Sequence, residues 1–293
     1  MSISRVEDAA AEGLLQTRVG DVHDRRYLNA PLIVGTTMIV MLVLASFVGP
    51  ALISWEPERV DPLQALQPPS SSHIFGTDSN GLDIFVRSLQ APRIDLSIAA
   101  AGVALGLILG VVIGVAAGFA RGLIGEFVMR LADLVQAFPL LILAIAIVAL
   151  TGNKLSNVIW ALAFVNTPIF LRLIRSRVLT IRELRYIEAA TALGNTRRRL
   201  IFKHVMPNAL GPVIVQVGIS MGYAILILAG LAFLGVGVQV PTPEWGSMIL
   251  IGASDITTGQ WWTAIFPGIM LASAVFAFNL FSEGIERARE ISR

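Results

Sequence analysis

The sequence predicts an all-α integral membrane protein with six transmembrane helices, and composition is the first observation behind this prediction. Of 293 residues, 55% are hydrophobic and 14% are charged, and the mean hydropathy is +0.74. Charged residues make up about a quarter of an ordinary soluble domain. The second observation is that six apolar runs are long enough, or nearly so, for a helix to cross a bilayer core of about 30 Å. The third is the one-sided distribution of Lys and Arg between these runs.

The six runs define the predicted spans. Residues 1–30 carry mixed charges, no apolar stretch and no cleavage site, so they are predicted to form a cytoplasmic tail and not a signal peptide. The fourth run is the shortest and contains Asn166 and Pro168. Barrel strands are not expected, because the runs do not alternate. The membrane domain covers residues 31–293, with spans at 31–54, 96–120, 131–150, 155–171, 213–235 and 261–281.

Three prolines inside the spans predict local bends. Pro139, Pro168 and Pro267 each remove one helical hydrogen bond. Such bends assist movement in some membrane proteins but also occur in static helices, so they do not identify a function.

The distribution of Lys and Arg predicts that both termini are cytoplasmic. With the N-terminus inside, most of the 22 basic residues fall on the inner side, as the positive-inside rule requires. The exceptions are Arg59, Arg87, Arg93 and Lys154. This orientation leaves two large outer segments, residues 55–95 and 236–260, and one basic inner loop, residues 172–208.

Several classes of function are disfavoured by what the sequence lacks. There is no cysteine, so disulfides and thiolate sites are excluded, and there is no phosphate-binding GxxxxGK[ST] motif. The span centres hold almost no ionisable residue, which argues against an ion-coupled carrier. Neither a catalytic group nor a metal site is predicted, because His23, His73 and His204 are far apart. The net charge of +2 forms no patch that would suit nucleic acid.

Glycine recurs every four residues in the second span. Residues at this spacing lie along one helix face, and a stripe without side chains lets another helix approach closely. The pattern predicts a tight helix–helix contact, which is also common in membrane proteins that do not transport. The glycines are Gly102, Gly106, Gly110, Gly114 and Gly118.

The basic inner loop is predicted to be a helix–turn–helix. A helix over about 181–193 would end at Gly194, which suits the C′ position. Asn195 or Thr196 could cap a second short helix that stops at Pro207. An alternative is a basic loop that binds anionic lipid, but lipid binding does not account for the ordered glycine and proline positions.

The segment before the second span, residues 73–83, is rich in turn residues and carboxylates. Asp78 and Asp83 suggest a Ca²⁺ loop, but their spacing differs from that of an EF-hand, so structural turns are expected. The candidate residues of this motif are Gly76, Thr77, Asp78, Gly81 and Asp83.

The inner loop resembles the EAA motif of ABC importer permeases. That pattern is Glu-Ala-Ala, three residues, Gly, nine residues, then Ile-x-Leu-Pro. Here it matches at Glu188, Ala189, Ala190, Gly194 and Pro207. His204 and Met206 stand at the Ile and Leu positions, a variant similar to the dipeptide/oligopeptide/nickel branch.

Two outer segments support the same resemblance. Residues 73–83 look like the HxxGTDxxGxD signature of the C-type permease in these systems, and residues 242–248 are similar to an outer loop of the same subunits. The resemblance covers nearly the whole chain from about residue 30.

The resemblance implies a type I ABC importer permease fold in a bacterial inner membrane, with a cytoplasmic coupling helix near residues 188–194. It implies a second homologous permease, two ATPase subunits that bind ATP and Mg²⁺, and an extracytoplasmic solute-binding protein, beside membrane lipid. The chain itself would have no ATPase site and no cofactor. The implied cargo is di- or oligopeptide, with nickel, an opine or another small solute left open. A secondary carrier and a membrane scaffold remain as alternatives.

Overall fold

The computed structural model describes residues 30–52, 57–120, 123–238 and 240–291, and for 50–52 and 291 it describes the backbone alone. The predicted tail over residues 1–29 and the end of the first span at 53–54 lie outside the described residues. Within them the regular structure is helical, apart from one isolated bridge between Thr77 and Asp83.

The described residues form eleven α-helices, more than the six predicted spans. They are α1 (Ala30–Leu52), α2 (Ile84–Phe119), α3 (Leu123–Gln136), α4 (Leu140–Thr151), α5 (Leu155–Arg182), α6 (Arg185–Ala192), α7 (Arg197–Arg199), α8 (Met206–Ala209), α9 (Gly211–Phe233), α10 (Trp245–Ile256) and α11 (Trp262–Ile291). A 3₁₀-helix, Pro62–Gln64, precedes α2, and a π-helix, Leu200–Val205, joins α7 to α8.

The third predicted span is not one straight helix. In the described ranges, five helices (α1, α2, α5, α9 and α11) are long and apolar enough to cross a membrane, and α3 with α4 makes a sixth only as a pair bent by 90°. The break falls at Pro139, because proline has no N–H and disfavours helical backbone at the preceding Phe138. By contrast, α5 and α11 continue through Pro168 and Pro267.

Three helices are longer than their predicted spans. α2 begins at Ile84, where the Asp83 side chain accepts a hydrogen bond from the Val86 N–H at 2.9 Å. α5 continues to Arg182 and α11 to Ile291. Hydropathy detects only the part of a helix that lies in hydrocarbon, so charged turns at the ends of these helices were assigned to loops.

The glycine stripe of α2 faces α5, and these two helices form the most extensive pair in the fold. A Cβ atom on Gly102 would lie 2.5 Å from Leu162 Cβ. One on Gly110 would lie 2.6 Å from Phe170 Cβ and 2.8 Å from Thr167 O. The corresponding shortest distances are also below 3.0 Å for Gly106, Gly114 and Gly118. The two backbones are therefore closer than any side chain at these positions would allow.

One end of the bundle is covered by a cap, defined here as residues 57–83 and 240–262. Its helix α10 lies where the sequence predicted only an outer loop. Glu244 begins this helix, since its Oε1 and Oε2 accept hydrogen bonds from the N–H groups of Gly246 (2.8 Å) and Ser247 (2.6 Å). The opposite end of the bundle carries the α6–α8 loop, residues 183–210.

Candidate functional site

The α6–α8 loop is a helix–turn–helix, as predicted, but its first helix starts later than expected. α5 ends at Arg182 and Leu184 is extended, so α6 begins at Arg185. On α6, Ile187 and Ala190 are buried, whereas Glu188 and Ala189 are exposed. The Glu-Ala-Ala segment therefore presents two of its three side chains to the surroundings.

Gly194 occupies the C′ position of α6 with φ of +78°. Its N–H donates to Thr191 O at 3.0 Å, and the Asn195 N–H donates to Ala190 O at 3.2 Å. These two bonds define a Schellman motif, which favours glycine because of the left-handed backbone. The Asn195 side chain adds a bond of 2.8 Å to the same Ala190 carbonyl.

The second helical segment does not stop at Pro207, contrary to the prediction. Thr196 caps it, and helical turns continue through the π-helix into α8, where Pro207 lies in the first turn. Pro207 has no N–H to donate to the carbonyl four residues earlier. The π turn before it is wider, with the Met206 N–H bonded to Ile201 O. Met206 and Pro207 thus sit inside a continuous helical segment.

The exposed side chains of the loop include a carboxylate without an ion pair, large apolar groups and a group of cations. Glu188 forms no ion pair within the described residues. Leu193 is 84% exposed and Phe202 62% exposed. Three exposed cations, Arg198, Arg199 and Lys203, lie beside Phe202. Exposed large apolar groups next to uncompensated charges are typical of a protein-binding surface.

In the cap, the residues of the 73–83 motif form hydrogen bonds with one another and with residues 64–67. His73 Nδ1 donates to Asp83 Oδ2 at 2.9 Å, while the other Asp83 oxygen caps α2. Thr77 is fully buried; its hydroxyl donates to Gln64 O and accepts from the Gln67 N–H. These contacts support structural turns, and no metal-holding group of three acidic or histidine side chains occurs among the described residues.

Two glycines of this motif have left-handed backbones. Gly76 and Gly81 both have φ of +74°, and a Cβ on Gly81 would lie 1.8 Å from Asp61 O. The turn therefore accepts only glycine at position 81.

The Asp78 side chain stabilises the turn by accepting hydrogen bonds from the turn's own backbone. Its Oδ1 accepts the N–H groups of Asn80 (2.8 Å) and Leu82 (2.9 Å). Burial raises the pKa of the Asp78 carboxyl, against the lowering effect of these bonds and of the Arg87 charge.

Replacing Asp78 by Asn is expected to reduce the loss of stability with rising pH. Because the folded-state pKa is raised above the usual value of about 3.9, the folded state retains a proton that the unfolded chain releases, so this group's contribution falls as pH rises through that window. An amide oxygen keeps both backbone bonds. We expect the melting temperature of Asp78→Asn in detergent to change less between pH 4.5 and 7.5 than that of the unmodified chain, by about 2–4 °C for each kcal/mol relieved. An identical change in both proteins would contradict this assignment.

The seam between α2 and α10 was missed by sequence reasoning. Asp95 Oδ2 accepts the Trp245 N–H at 3.2 Å, and Trp245 Nε1 donates to Ser88 O at 3.1 Å. Arg87, assigned to an outer loop from the sequence, is fully buried and donates to Pro241 O at 2.6 Å. Burial also raises the pKa of the Glu244 carboxyl beside this seam. The buried polar residues thus fasten the cap to α2.

The profile of binding-protein-dependent transport system inner membrane components matches residues 110–290 of the chain. A dipeptide transport system permease of Alkalihalophilus pseudofirmus is 41% identical over 260 residues, which is 89% of this chain and 85% of that protein. A probable D,D-dipeptide permease of Escherichia coli is 36% identical over 88% of this chain and 86% of its own length. A glutathione transport system permease of Pectobacterium atrosepticum is 36% identical over 90% and 88%.

Among solved structures, the inward-facing MetNI methionine ABC transporter contains a chain of similar fold. The TM-score is 0.56 at 17% sequence identity, covering 71% of this chain and 97% of that chain. At this identity the likeness concerns the fold alone.

Proposed function

Since this chain belongs to the family of binding-protein-dependent transport system inner membrane components, we propose that it imports di- or oligopeptides as one of two permease subunits of an ATP-driven transporter. The family is the membrane component of ABC importers, whose work requires an ATPase and a binding protein. We assign ATP and Mg²⁺ to two ATPase subunits, and the second half of the translocation path to a homologous permease. The names of the similar permeases, which specify dipeptides and glutathione, support a peptide cargo.

The observation that carries the coupling role is the α6–α8 loop. It presents Glu188, Ala189 and Leu193 outward on a rigid helix closed by a Schellman turn, without an internal partner for the acid. The small, exposed side chain of Ala189 lets a partner surface approach α6 closely, whereas Ala190 packs α6 against the fold. Gly194 and Pro207 shape the turn and the segment after it. The Lys and Arg distribution supports a cytoplasmic location for this loop and both termini.

In energetic terms the chain would be a two-state element. ATP-driven closure of the ATPases would favour one arrangement of the spans, and the loaded binding protein would favour the same transition from the other side. The cap, which is fastened to α2 through Asp95 and Arg87, is the surface we assign to the binding protein.

Reconstitution of the complete system tests this proposal. We expect that a C-terminally tagged chain, expressed with its whole operon, co-purifies with two P-loop ATPases and a second permease in mild detergent. Proteoliposomes are prepared with that complex and the binding protein. Complexes whose ATPases face the lumen should accumulate labelled dipeptide only when ATP and Mg²⁺ are enclosed there. Omitting ATP or the binding protein serves as the control.

Two results would contradict the proposal. A chain that purifies alone and transports without partners would be a secondary carrier. A complex whose binding protein and ATP-driven uptake select nickel, an opine or another solute over dipeptides would keep the transporter assignment and refute the peptide cargo.

A further inference from the structure

The last carbonyl groups of α2 are bound by two arginines, one at the end of α5 and one in the α6–α8 loop. Carbonyls in the last turn of a helix have no partner within that helix. Arg182 Nη1 donates to Gly118 O at 3.0 Å, and Arg197 Nη2 donates to Phe119 O at 2.6 Å. The Arg197 guanidinium carbon also lies 5.4 Å from the centre of the Phe119 ring. Cations are favoured at this end of a helix, where the dipole is negative, and the ring adds a cation–π contact.

The two arginines stand on either side of α6. Arg182 is the last residue of α5, and Arg197 is the first residue of α7. The groove between them and Phe119 is lined by Ile187 and Thr191 of α6. The end of α2 is therefore attached to the chain both before and after the Glu-Ala-Ala helix.

The helix α2, to which the two arginines attach the loop, cannot slide independently of α5. The glycines of α2 contact α5 from Leu162 to Val178 with no space for even a methyl group. Closely packed elements of this kind shift as units, because packed interiors do not deform continuously. α5 leads into α6 through the chain itself, whereas the hydrogen bonds described here between α2 and this region are made by the Arg182 and Arg197 side chains.

We propose that Arg197 is a positioning residue that braces the α6–α8 loop against the C-terminus of α2, so that movement of the loop moves the α2–α5 pair as one body. The inference rests on the proposed function, in which the ATPases move this loop. Arg182 supplies the second contact from the covalently continuous side. Loss of the Arg197 brace would leave the loop able to bind an ATPase but less able to transmit its movement to α2.

Three variants distinguish the loss of the Arg197 contacts from the loss of a positive charge and from misfolding. Arg197→Gln removes the cation at the end of α2, and Arg197→Lys keeps the charge but loses the planar group above Phe119. Arg130→Gln is the matched control, because it makes the same charge change at an exposed position of α3 that lies outside the α6–α8 loop.

The first experiment compares uptake with ATP hydrolysis in the complete reconstituted complex. We expect Arg197→Gln to retain its ATPase subunits and its ATP hydrolysis while peptide taken up per ATP falls roughly fivefold, at the low end of typical couplings between sites. Arg197→Lys should give a smaller fall than Arg197→Gln, and Arg130→Gln should match the unmodified complex. A proportional fall of uptake and hydrolysis, or no fall, would overturn the proposal.

The second experiment measures the bracing directly. The chain has no cysteine, so Asn208→Cys on the loop and Ile108→Cys on α2, both exposed, allow paired spin labels to be attached before assembly. With Arg197 present, the label separation should be the same in nucleotide-free and ATP-bound complexes. With Arg197→Gln it should shift or broaden on ATP binding. A separation that changes in the unmodified complex, or stays fixed in the variant, would refute the brace.

The two experiments also distinguish this inference from the proposed function. If the unmodified complex shows no ATP-dependent peptide uptake, the proposed function fails. If it transports but Arg197→Gln behaves like Arg130→Gln, only the brace fails.

Discussion

Replacing Glu188 by Lys is expected to abolish ATP-driven uptake while the amount of the chain in the membrane stays unchanged. Glu188 is exposed and makes no ion pair among the described residues, so reversing its charge breaks no ion pair of the fold. Reversing it would place a cation opposite the basic group with which we propose that it pairs on an ATPase. A disrupted hot-spot contact costs about 2 kcal/mol or more, which corresponds to about 30-fold in ATPase affinity. Uptake in proteoliposomes and retention of the ATPases on the tagged chain measure the effect.

Two companion variants sharpen this test. Gly194→Asp is expected to lose uptake as well, since a Cβ at position 194 would meet nothing within 4 Å and aspartate tolerates the left-handed backbone better than most residues. The added side chain and charge would then act on the partner and not on the turn. Glu126→Lys makes the same reversal at an exposed residue of α3 and should transport normally. Normal uptake by well-expressed Glu188→Lys would refute the coupling role of α6.

The features predicted correctly from the sequence are those that repeat or that depend on neighbouring residues. Apolar runs reveal the centres of the spans because the bilayer imposes one length on all of them. Gly194 was placed at a helix C′ position because the positive φ there makes glycine locally favourable. The period of four in α2 predicted a close helix contact, and α5 is the helix that it meets.

The features that were missed depend on residues distant in the sequence. Gly35 and Gly284 let α1 and α11 touch, with a Cβ on Gly35 only 2.4 Å from Phe281 N, but a single glycine has no period to reveal it. The α10 helix and its attachment to Asp95 involve residues about 150 positions apart in the chain. Helix ends were misplaced for a related reason, since charged residues such as Arg87 are placed in loops by hydropathy unless their buried partners are known.

Replacing Gly110 by Ala is expected to destabilise the chain more than any other single methyl group added along α2. The new Cβ would lie 2.6 Å from Phe170 Cβ, 2.8 Å from Thr167 O and 2.9 Å from Leu171 N. Two of these atoms belong to the α5 backbone and cannot rotate away, so the helices must separate. Overpacking of this kind costs about 1–3 kcal/mol and occasionally more, and the upper value corresponds to a fall of roughly 6–12 °C in melting temperature.

The matched control for this prediction is another helical glycine without a neighbour. A Cβ on Gly268 of α11 would meet nothing within 4 Å, so Gly268→Ala should be neutral or stabilise the isolated subunit by about 0.5–1 kcal/mol through helix propensity. Intrinsic fluorescence of the five tryptophans during heating in detergent measures both variants. If Gly110→Ala melts at the same temperature as Gly268→Ala, the α2–α5 contact is looser than these distances state. The Arg197 brace requires α2 and α5 to move as a rigid pair, so that result would also remove its structural basis.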